Sequence, residues 1–185
     1  VVSSNYDRKA ICNTYLIPET IKKYLIAIED KRFNEHGAID YKSILRALVE
    51  DLKAFHIVQG GSTITQQLAR NLLRDNRKNI QRKLREILLA FKLENTYDKN
   101  EIIEMYFSNV FWGKQNYGIR SASLEYFAKE PEYLSLAEQI SLLTFLRGPN
   151  LYLKNNDNFN RRFDLLTNVL SQQNLISHRK SKKIK

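Results

Sequence analysis

The sequence lacks several features that define common protein classes. It has 185 residues and a single cysteine, Cys12, which excludes an internal disulfide framework but leaves the cellular compartment open. It contains no run of about eighteen apolar residues and no signal-peptide segment, so no part of it is predicted to cross a bilayer. We expect any membrane anchor to lie outside this chain.

Internal repeats and flexible linkers are also absent. With 43% apolar and 11% aromatic residues, the chain is long enough to bury a sizeable core. The sequence therefore predicts one domain over residues 1–185.

Acidic residues are outnumbered by basic ones. Twenty Asp and Glu stand against thirty Lys and Arg, which leaves a formal net charge of +10. Such a balance favours an anionic partner, namely nucleic acid, an anionic membrane face or a phosphate-bearing substrate. Charge alone does not choose among them.

Almost every periodic segment has the helical period, and no alternating strand or two-residue hairpin turn stands out. The predicted class is mainly α. A first helix begins at Pro18 and ends at Glu29, and Asp40 caps a second. After Gly60 and Gly61, Ser62 or Thr63 caps a third helix, with Gln66 completing a capping box. Its outward polar face carries Gln66, Gln67, Arg70, Asn71 and Arg74.

The second half of the chain continues in the same way. A fourth helix carries the apolar stripe Ile80, Leu84, Ile87, Leu88 and Phe91. Asp98 with Glu101, and Ser135 with Glu138, form capping boxes for two later helices, with an aromatic loop at 110–117 between them. The basic tail 178–185 is predicted to be solvated or truncated.

Two carboxylates lie together at the end of the first helix. The macrodipole disfavours negative charge at Glu29 and Asp30, which suits a group that takes up a proton. The alternative is a surface ion-pair network with Lys31 or Arg32. His36 is predicted to be a structural hydrogen bonder, because no second His or Cys lies at metal-ligand spacing.

The third and fourth helices offer candidate anion ligands. The helix start after Gly61 and the Arg70 side chain suit phosphate oxygens, yet the loop lacks the Walker lysine of a P-loop. Arg82 and Glu86 are four residues apart, as in an intrahelical ion pair worth roughly 0.3–0.5 kcal/mol. The aromatic loop is either a stacking platform for nucleic acid or part of the core.

Five segments, taken in order, resemble the motifs of the peptidoglycan glycosyltransferase family of bifunctional penicillin-binding proteins and monofunctional transglycosylases. They are EDKRFNEH, GGSTITQQLARNL, RKLREILLAFKLE, IIEMYFSNVFWGKQNYG and LLTFLRGPNLY. The resemblance covers residues 18–152, and the GGSTITQQ block is highly specific.

The resemblance implies a lysozyme-like fold with a large lobe and a small membrane-associated jaw. It also implies polymerisation of glycan strands from lipid II, with inversion at the anomeric carbon and release of undecaprenyl pyrophosphate. The site of action is the outer face of the bacterial cytoplasmic membrane. The implied partners are lipid II, the growing lipid-linked glycan and a cell-wall synthesis complex, without nucleic acid.

The resemblance also assigns roles to residues. Glu29 matches the general base, supported by Asp30, and Arg70 and Lys78 match residues that face the diphosphate. Glu86 matches a second carboxylate that holds the donor side, directly or through a divalent cation such as Mg²⁺ or Mn²⁺; no covalent cofactor is implied. The matches to substrate-contacting positions are Ser62, Gln66, Gln67, Asn71, Arg82 and Lys83.

Three positions depart from the family pattern. Ala38 and Ser108 stand at loop and packing positions, and we expect activity to survive both changes. Lys78 replaces an arginine, which keeps the charge but loses the bidentate fork. No serine–lysine acylation motif of a transpeptidase follows.

Two other functions compete. One is a lysozyme-like hydrolase with Glu29 as general acid, which needs no diphosphate cradle. The other is a non-catalytic basic module that binds lipid or nucleic acid.

Overall fold

The computed structural model describes residues 15–46, 61–75, 77 and 79–184, and helices dominate these residues. The elements in chain order are α1 (Glu19–Glu29), α2 (residues 41–46), α3 (Ile64–Leu73), α4 (Ile80–Thr96), α5 (Lys99–Asn109), β1 (Phe111–Gly113), β2 (Asn116–Tyr117), α6 (Ile119–Phe127), α7 (Leu136–Phe145), α8 (Pro149–Lys154), α9 (Asn156–Gln172) and α10 (His178–Ile184). Two 3₁₀ turns cover Phe33–Glu35 and Pro131–Tyr133.

The mainly α, lysozyme-like class is confirmed, whereas the division into lobe and jaw stays a prediction. The predictions that involve Cys12, Lys78 and residues 47–60 lie outside the described residues. Within the described part of the chain, no helix combines the length and the apolar content needed to cross a membrane.

The predicted helix starts of α2, α5 and α7 are confirmed. The Asp40 carboxylate accepts the backbone N–H of Ser43 at 3.0 Å. Asp98 with Glu101, and Ser135 with Glu138, form complete capping boxes. Each box pairs orphan N–H groups of the first turn with side-chain oxygens.

The aromatic loop is a two-stranded antiparallel hairpin, which the sequence did not predict. Lys114 and Gln115 make its turn with φ values of 45° and 66°, a conformation usually signalled by Asn-Gly. Trp112 is fully buried and stacks on Phe107, with ring centroids 6.1 Å apart. Trp112 of β1 thus contributes to the core.

The core joins two groups of helices. α3 packs against α4 and α5, while α9 packs against α1, α7, α8 and α10. α1 carries the fully buried Ile21 and Leu25. Its C-terminal end, with Glu29, is therefore held by packing along the length of the helix.

The apolar stripe of α4 does not face this core. Ile80, Leu84, Leu88 and Phe91 are exposed, and the buried positions of the helix are Glu86, Ala90 and Leu93. Tyr41 and Leu45 of α2 are exposed as well. Helical periodicity predicted the helix correctly, but the stripe is turned outward because α3 and α5 pack against the opposite side.

The prediction of a solvated tail was wrong for residues 178–184, which form α10 against α9. Ser177 begins this helix, since its hydroxyl accepts the backbone N–H of Lys180 at 3.3 Å. Ser181 is buried and Ile184 packs on the core. The tail folds because one face of its turns is small or apolar, although the rest is basic.

Candidate functional site

The C-terminal end of α1, the loop 31–40, the start of α3 and the first turns of α4 meet at one place. Asp30 connects the end of α1, the loop 31–40 and the start of α3. One carboxylate oxygen bonds Nε2 of His36 at 2.8 Å, and the other accepts the backbone N–H of Ile64 at 3.0 Å. A carboxylate at the N-terminus of a helix is favourably placed in the helix dipole. Asp30 therefore fixes the neighbouring Glu29 relative to α3.

The loop after α1 is anchored on α3 through Ala38. Its carbonyl oxygen accepts the Thr63 hydroxyl at 3.0 Å and the Gln66 side-chain amide at 3.1 Å. Thr63 is the N-cap, and its hydroxyl oxygen accepts the Gln66 backbone N–H at 3.1 Å. Only half of the predicted capping box forms, because the Gln66 side chain bonds to the loop and to Lys83 instead. Gln66 is also buried rather than outward-facing.

The Glu29 side chain is only 2% exposed and faces three donor groups. Gln67 Nε2 lies 3.2 Å from Oε2, Arg147 Nε lies 3.3 Å from Oε1, and Arg162 Nη2 lies 3.4 Å from Oε1. All three distances exceed the roughly 2.7–2.9 Å of a strong charge-assisted bond. The carboxylate is thus oriented by loose contacts that another hydrogen-bonding group can replace.

Gln67 itself is fixed by Tyr106. The phenol donates to Gln67 Oε1 at 3.1 Å, which turns the amide nitrogen toward Glu29. Burial, and secondarily the charge of Glu29, raises the pKa of Tyr106 well above its usual range, so the phenol stays a donor. A chain of three side chains therefore orients the carboxylate.

A second buried carboxylate, Glu86, lies at the centre of a polar cluster on α4. Its side chain is 1% exposed and accepts Arg82 Nη1 at 2.6 Å and a short bond from Lys83 Nζ. Lys83 Nζ also lies 3.2 Å from Ser62 Oγ and 3.2 Å from Gln66 Oε1. Two adjacent residues of α3 therefore contact the surroundings of the two carboxylates. Gln67 bonds Glu29 directly, and Gln66 bonds Lys83, which pairs with Glu86.

A cavity of about 160 Å³ opens beside these groups. Its lining includes Glu29, Asp30, Arg32, Arg46, Gly61 and Ser62. Asp40 lines the same cavity and pairs with Arg32, whose Nη2 lies 3.4 Å from Oδ1 of Asp40. The lining therefore combines both signs of charge, and its hydroxyl, carboxylate and guanidinium groups suit a ligand rich in hydroxyl groups.

The remaining predicted residues lie on α3 and at its exit. Arg70 is exposed, and it forms no ion pair with the residues that the structure describes. Asn71 is half-buried, and its amide donates to the Gln67 carbonyl at 2.8 Å. Lys78 is outside the described residues. The other predicted residues are linked by hydrogen bonds around Glu29 and Glu86, whereas the described residues show no such bond for Arg70.

The surroundings of Glu86 do not fit a divalent cation. Its two oxygens already face two cations, Arg82 and Lys83. Among the described residues, one group has the spacing to hold a metal ion, namely Asp30, His36 and Asp40, and it does not include Glu86. The cation at Glu86 stays a prediction, and no step below passes through a metal.

Sequence reasoning did not identify Arg147, Arg162 or Tyr106 as parts of the site. Arg147 stands in the turn after α7, 118 residues from Glu29, and Arg162 lies on α9, 133 residues away. Arg147 falls within the fifth motif segment, LLTFLRGPNLY, which was a usable signal. Arg162 follows Arg161 on α9, and such a pair is typical of a solvated helix face, so no signal in the sequence identified it. Burial lowers the pKa of Arg162, because removing the charged guanidinium from water costs free energy.

Comparison with known proteins agrees with this site. The family model described as Transglycosylase matches residues 2–171. Penicillin-binding protein 1F of Bacillus subtilis is 39% identical over 163 residues, 87% of this chain and 23% of that protein. Penicillin-binding protein 1A of Aquifex aeolicus is 42% identical over 136 residues, 74% of this chain and 19% of that protein.

Penicillin-binding protein 4 of Bacillus subtilis is 33% identical over 184 residues, which is 98% of this chain and 30% of that protein. The chain thus spans less than a third of the length of these relatives. The matched region contains both buried carboxylates, the α3 amides and the two arginines that face Glu29. The chain therefore belongs to the transglycosylase family, the peptidoglycan glycosyltransferase family of penicillin-binding proteins.

Proposed function

We propose that this domain polymerises glycan strands from lipid II, with inversion at the anomeric carbon and release of undecaprenyl pyrophosphate. The observation that carries the proposal is the buried Glu29 carboxylate, oriented by Gln67 and two arginines beside a polar cavity that Arg46 lines. Lipid II is the acceptor, and the growing lipid-linked glycan is the donor.

Glu29 acts as the general base in this proposal. It takes the proton of the acceptor hydroxyl while the hydroxyl oxygen attacks the anomeric carbon of the donor from the face opposite the diphosphate. The bond between the anomeric carbon and the phosphate oxygen breaks, and its electron pair leaves on the pyrophosphate. One displacement of this kind inverts the anomeric carbon. The Glu29 proton then passes to solvent.

Fixed cations stabilise the charge that develops on the leaving group. Arg70 is exposed on α3 and free to face a diphosphate, and Lys78 is proposed for the same role. Arg82 and Lys83 already pair with Glu86, so part of their charge is neutralised. We assign to Glu86 the task of holding these two cations in place, since its buried carboxylate has little surface left for substrate.

Polar groups around the cavity are proposed to position the sugars. Ser62, Gln67 and Asn71 present hydroxyl and amide groups at the start and along one side of α3. Gln66 is proposed to act indirectly, because it is buried and its amide is bonded to Ala38 and Lys83. Asp30 contributes indirectly, because both of its oxygens are bonded to His36 and Ile64. The domain is proposed to act at the outer face of the cytoplasmic membrane, within a cell-wall synthesis complex.

The decisive experiment incubates the purified chain with labelled lipid II in detergent and separates the products on a gel. We expect long glycan chains with the wild type and an almost complete loss with Glu29→Gln, provided circular dichroism shows both to be folded. Wild-type activity in Glu29→Gln contradicts the assignment of the base. Shortening of preformed glycan indicates the hydrolase instead, and binding of lipid II without turnover indicates a binding module.

A further inference from the structure

A second cavity, of about 260 Å³, has no role in the proposed reaction. It lies between the first turns of α1, the start of α7 and the segment that leads from α9 into α10. Neither Glu29 nor Glu86 borders it. The described residues that line it are Thr20, Tyr24, Leu136, Gln139, Leu175, Ile176, Ser177 and Lys180.

A nearly buried tyrosine supplies one polar group of this cavity. Tyr24 is 7% exposed, and among the described residues its hydroxyl has no hydrogen-bond partner. Burial raises the pKa of Tyr24, so the phenol keeps its proton and remains a donor. Because a buried phenol usually pairs this proton, the cavity contains a donor that a ligand can use.

The other polar groups of the lining favour a negative charge. Gln139 is already engaged, because its side chain accepts the Thr20 hydroxyl at 2.8 Å and donates to the Leu134 carbonyl at 2.9 Å. Lys180 is exposed and forms no ion pair with the residues that the structure describes. None of the described lining residues is acidic. A carboxylate in this cavity would therefore meet an ammonium group and a phenol, without a like charge beside it.

The rest of the lining is apolar and limits the size of a ligand. Leu136, Leu175 and Ile176 supply this part, and it reaches from the exposed Leu175 to Ile176 in the core. The volume corresponds to about nine groups of water size, at roughly 30 Å³ each. A short apolar chain with an anion at one end matches both the lining and the volume.

We propose that this cavity is a binding site for a small aliphatic carboxylate. The charged end lies between Lys180 and the Tyr24 hydroxyl, and the chain lies against Leu136, Leu175 and Ile176. A wholly apolar molecule fits less well, because it would leave the phenol without a partner. The site goes beyond the proposed function, and binding requires no turnover.

The test is a titration of the isotope-labelled chain with hexanoate, followed by NMR. We expect the amide resonances of Tyr24 and Ile176 to shift and to saturate, with a dissociation constant of about 1 mM or below. Hexanamide has the same chain without the charge, and acetate has the charge without the chain. Each should bind at least about tenfold more weakly than hexanoate.

Two variants test the polar groups. Tyr24→Phe removes the hydroxyl and keeps the ring, so we expect hexanoate to bind about tenfold more weakly. Lys180→Gln removes an exposed charge without disturbing the core, and we expect a loss of about fivefold. The matched controls are Tyr133→Phe, at a 69% exposed tyrosine, and Lys182→Gln, an exposed position on the same helix.

Weaker binding by both variants, with unchanged binding by both controls, supports the proposal. Absence of saturation, equal affinity for hexanoate and hexanamide, or equal affinity of the wild type and either folded variant overturns it. Shifts confined to Arg46 and Gly61 would place the anion in the cavity beside Glu29 and overturn it as well. If Tyr24→Phe fails to fold, Lys180→Gln decides alone.

Discussion

At the residue scale, the main finding is the way Glu29 is held. It lies at the last position of α1 and its side chain is almost fully buried, yet each contact to its carboxylate is 3.2 Å or longer. A base that must exchange its partners for a substrate hydroxyl needs such contacts, because a tight ion pair would hold it in place. Arg147 is the most accessible of these partners, with its side chain 38% exposed on a turn.

Replacing Arg147 with alanine tests this orientation. We expect kcat/KM for polymerisation to fall about ten- to a hundredfold, since Glu29 loses one of the groups that fix its position. The free energy of unfolding should change little, because the arginine is partly exposed. The control is Arg161→Ala on α9, a neighbouring arginine that bonds Asn158 instead. Equal activity of both variants contradicts the role of Arg147.

Glu86→Gln tests the second carboxylate. The change removes the charge that holds Arg82 and Lys83 together, so we expect a loss of about 1–3 kcal/mol in unfolding free energy and a large loss of polymerisation. Urea unfolding and the gel assay measure the two effects. Glu125→Gln, which removes an exposed ion pair with Lys114, should cost less than about 0.5 kcal/mol. If both changes had similar effects on unfolding free energy and polymerisation, the burial of Glu86 would not explain its role.

At the scale of single elements, the hairpin depends on Gly113. Its φ is +92°, and a Cβ there would lie 2.7 Å from Pro149 Cβ at the start of α8. We expect Gly113→Ala to lower the free energy of unfolding by about 1–3 kcal/mol, through backbone strain and the clash. Gly37→Ala is the control, because nothing lies within 4 Å of a Cβ at that position. Thermal melts of equal midpoint for both variants would contradict the prediction.

The start of α2 predicts a pH effect on stability. Burial opposes ionisation of Asp40, but bonds from the Ser43 hydroxyl and backbone N–H, with Arg32 nearby, lower the pKa of the carboxyl overall. A lowered folded pKa stabilises the protein above the unfolded value of about 3.9. That contribution is lost as the pH falls through the lower folded pKa.

The variant Asp40→Asn keeps a capping side chain but cannot ionise. We expect it to be less stable than the wild type at pH 7 and to approach the wild type as the pH falls below about 4. Urea unfolding across this pH range measures the difference. The exposed Asp157→Asn controls for the loss of one acidic charge. A difference that is independent of pH would disprove the assignment.

At the scale of the whole molecule, α10 completes the packing on α9. Deleting residues 178–185 removes Ile184 from the core and exposes the surface around Ser181. We expect a loss of about 1–2 kcal/mol in the free energy of unfolding, the value of one partly buried aliphatic side chain. A full-length chain with Lys182→Gln and Lys183→Gln controls for charge. Unchanged stability after deletion would restore the interpretation of a solvated tail.

The helical class and the caps at Asp40, Asp98 and Ser135 were predictable from the sequence, because they depend on interactions within a few residues, which local spacing reveals. The grouping of candidate residues near Glu29 and α3 was predicted from the resemblance to the family and not from spacing. The hairpin was missed because Lys114 and Gln115 adopt positive φ without the usual Asn-Gly signal. The neighbours of Glu29 were missed because they are distant in sequence.

The sequence by itself determined where α1, α2, α3, α5 and α7 begin, since capping and periodicity are short-range properties of the chain. The tertiary structure decided which face of each helix is covered and which charges meet. Only folding brings Arg147 and Arg162 to Glu29, across more than a hundred residues. Only the packing of α3 and α5 on one side of α4 leaves its apolar stripe exposed, because burial depends on neighbours that periodicity does not specify.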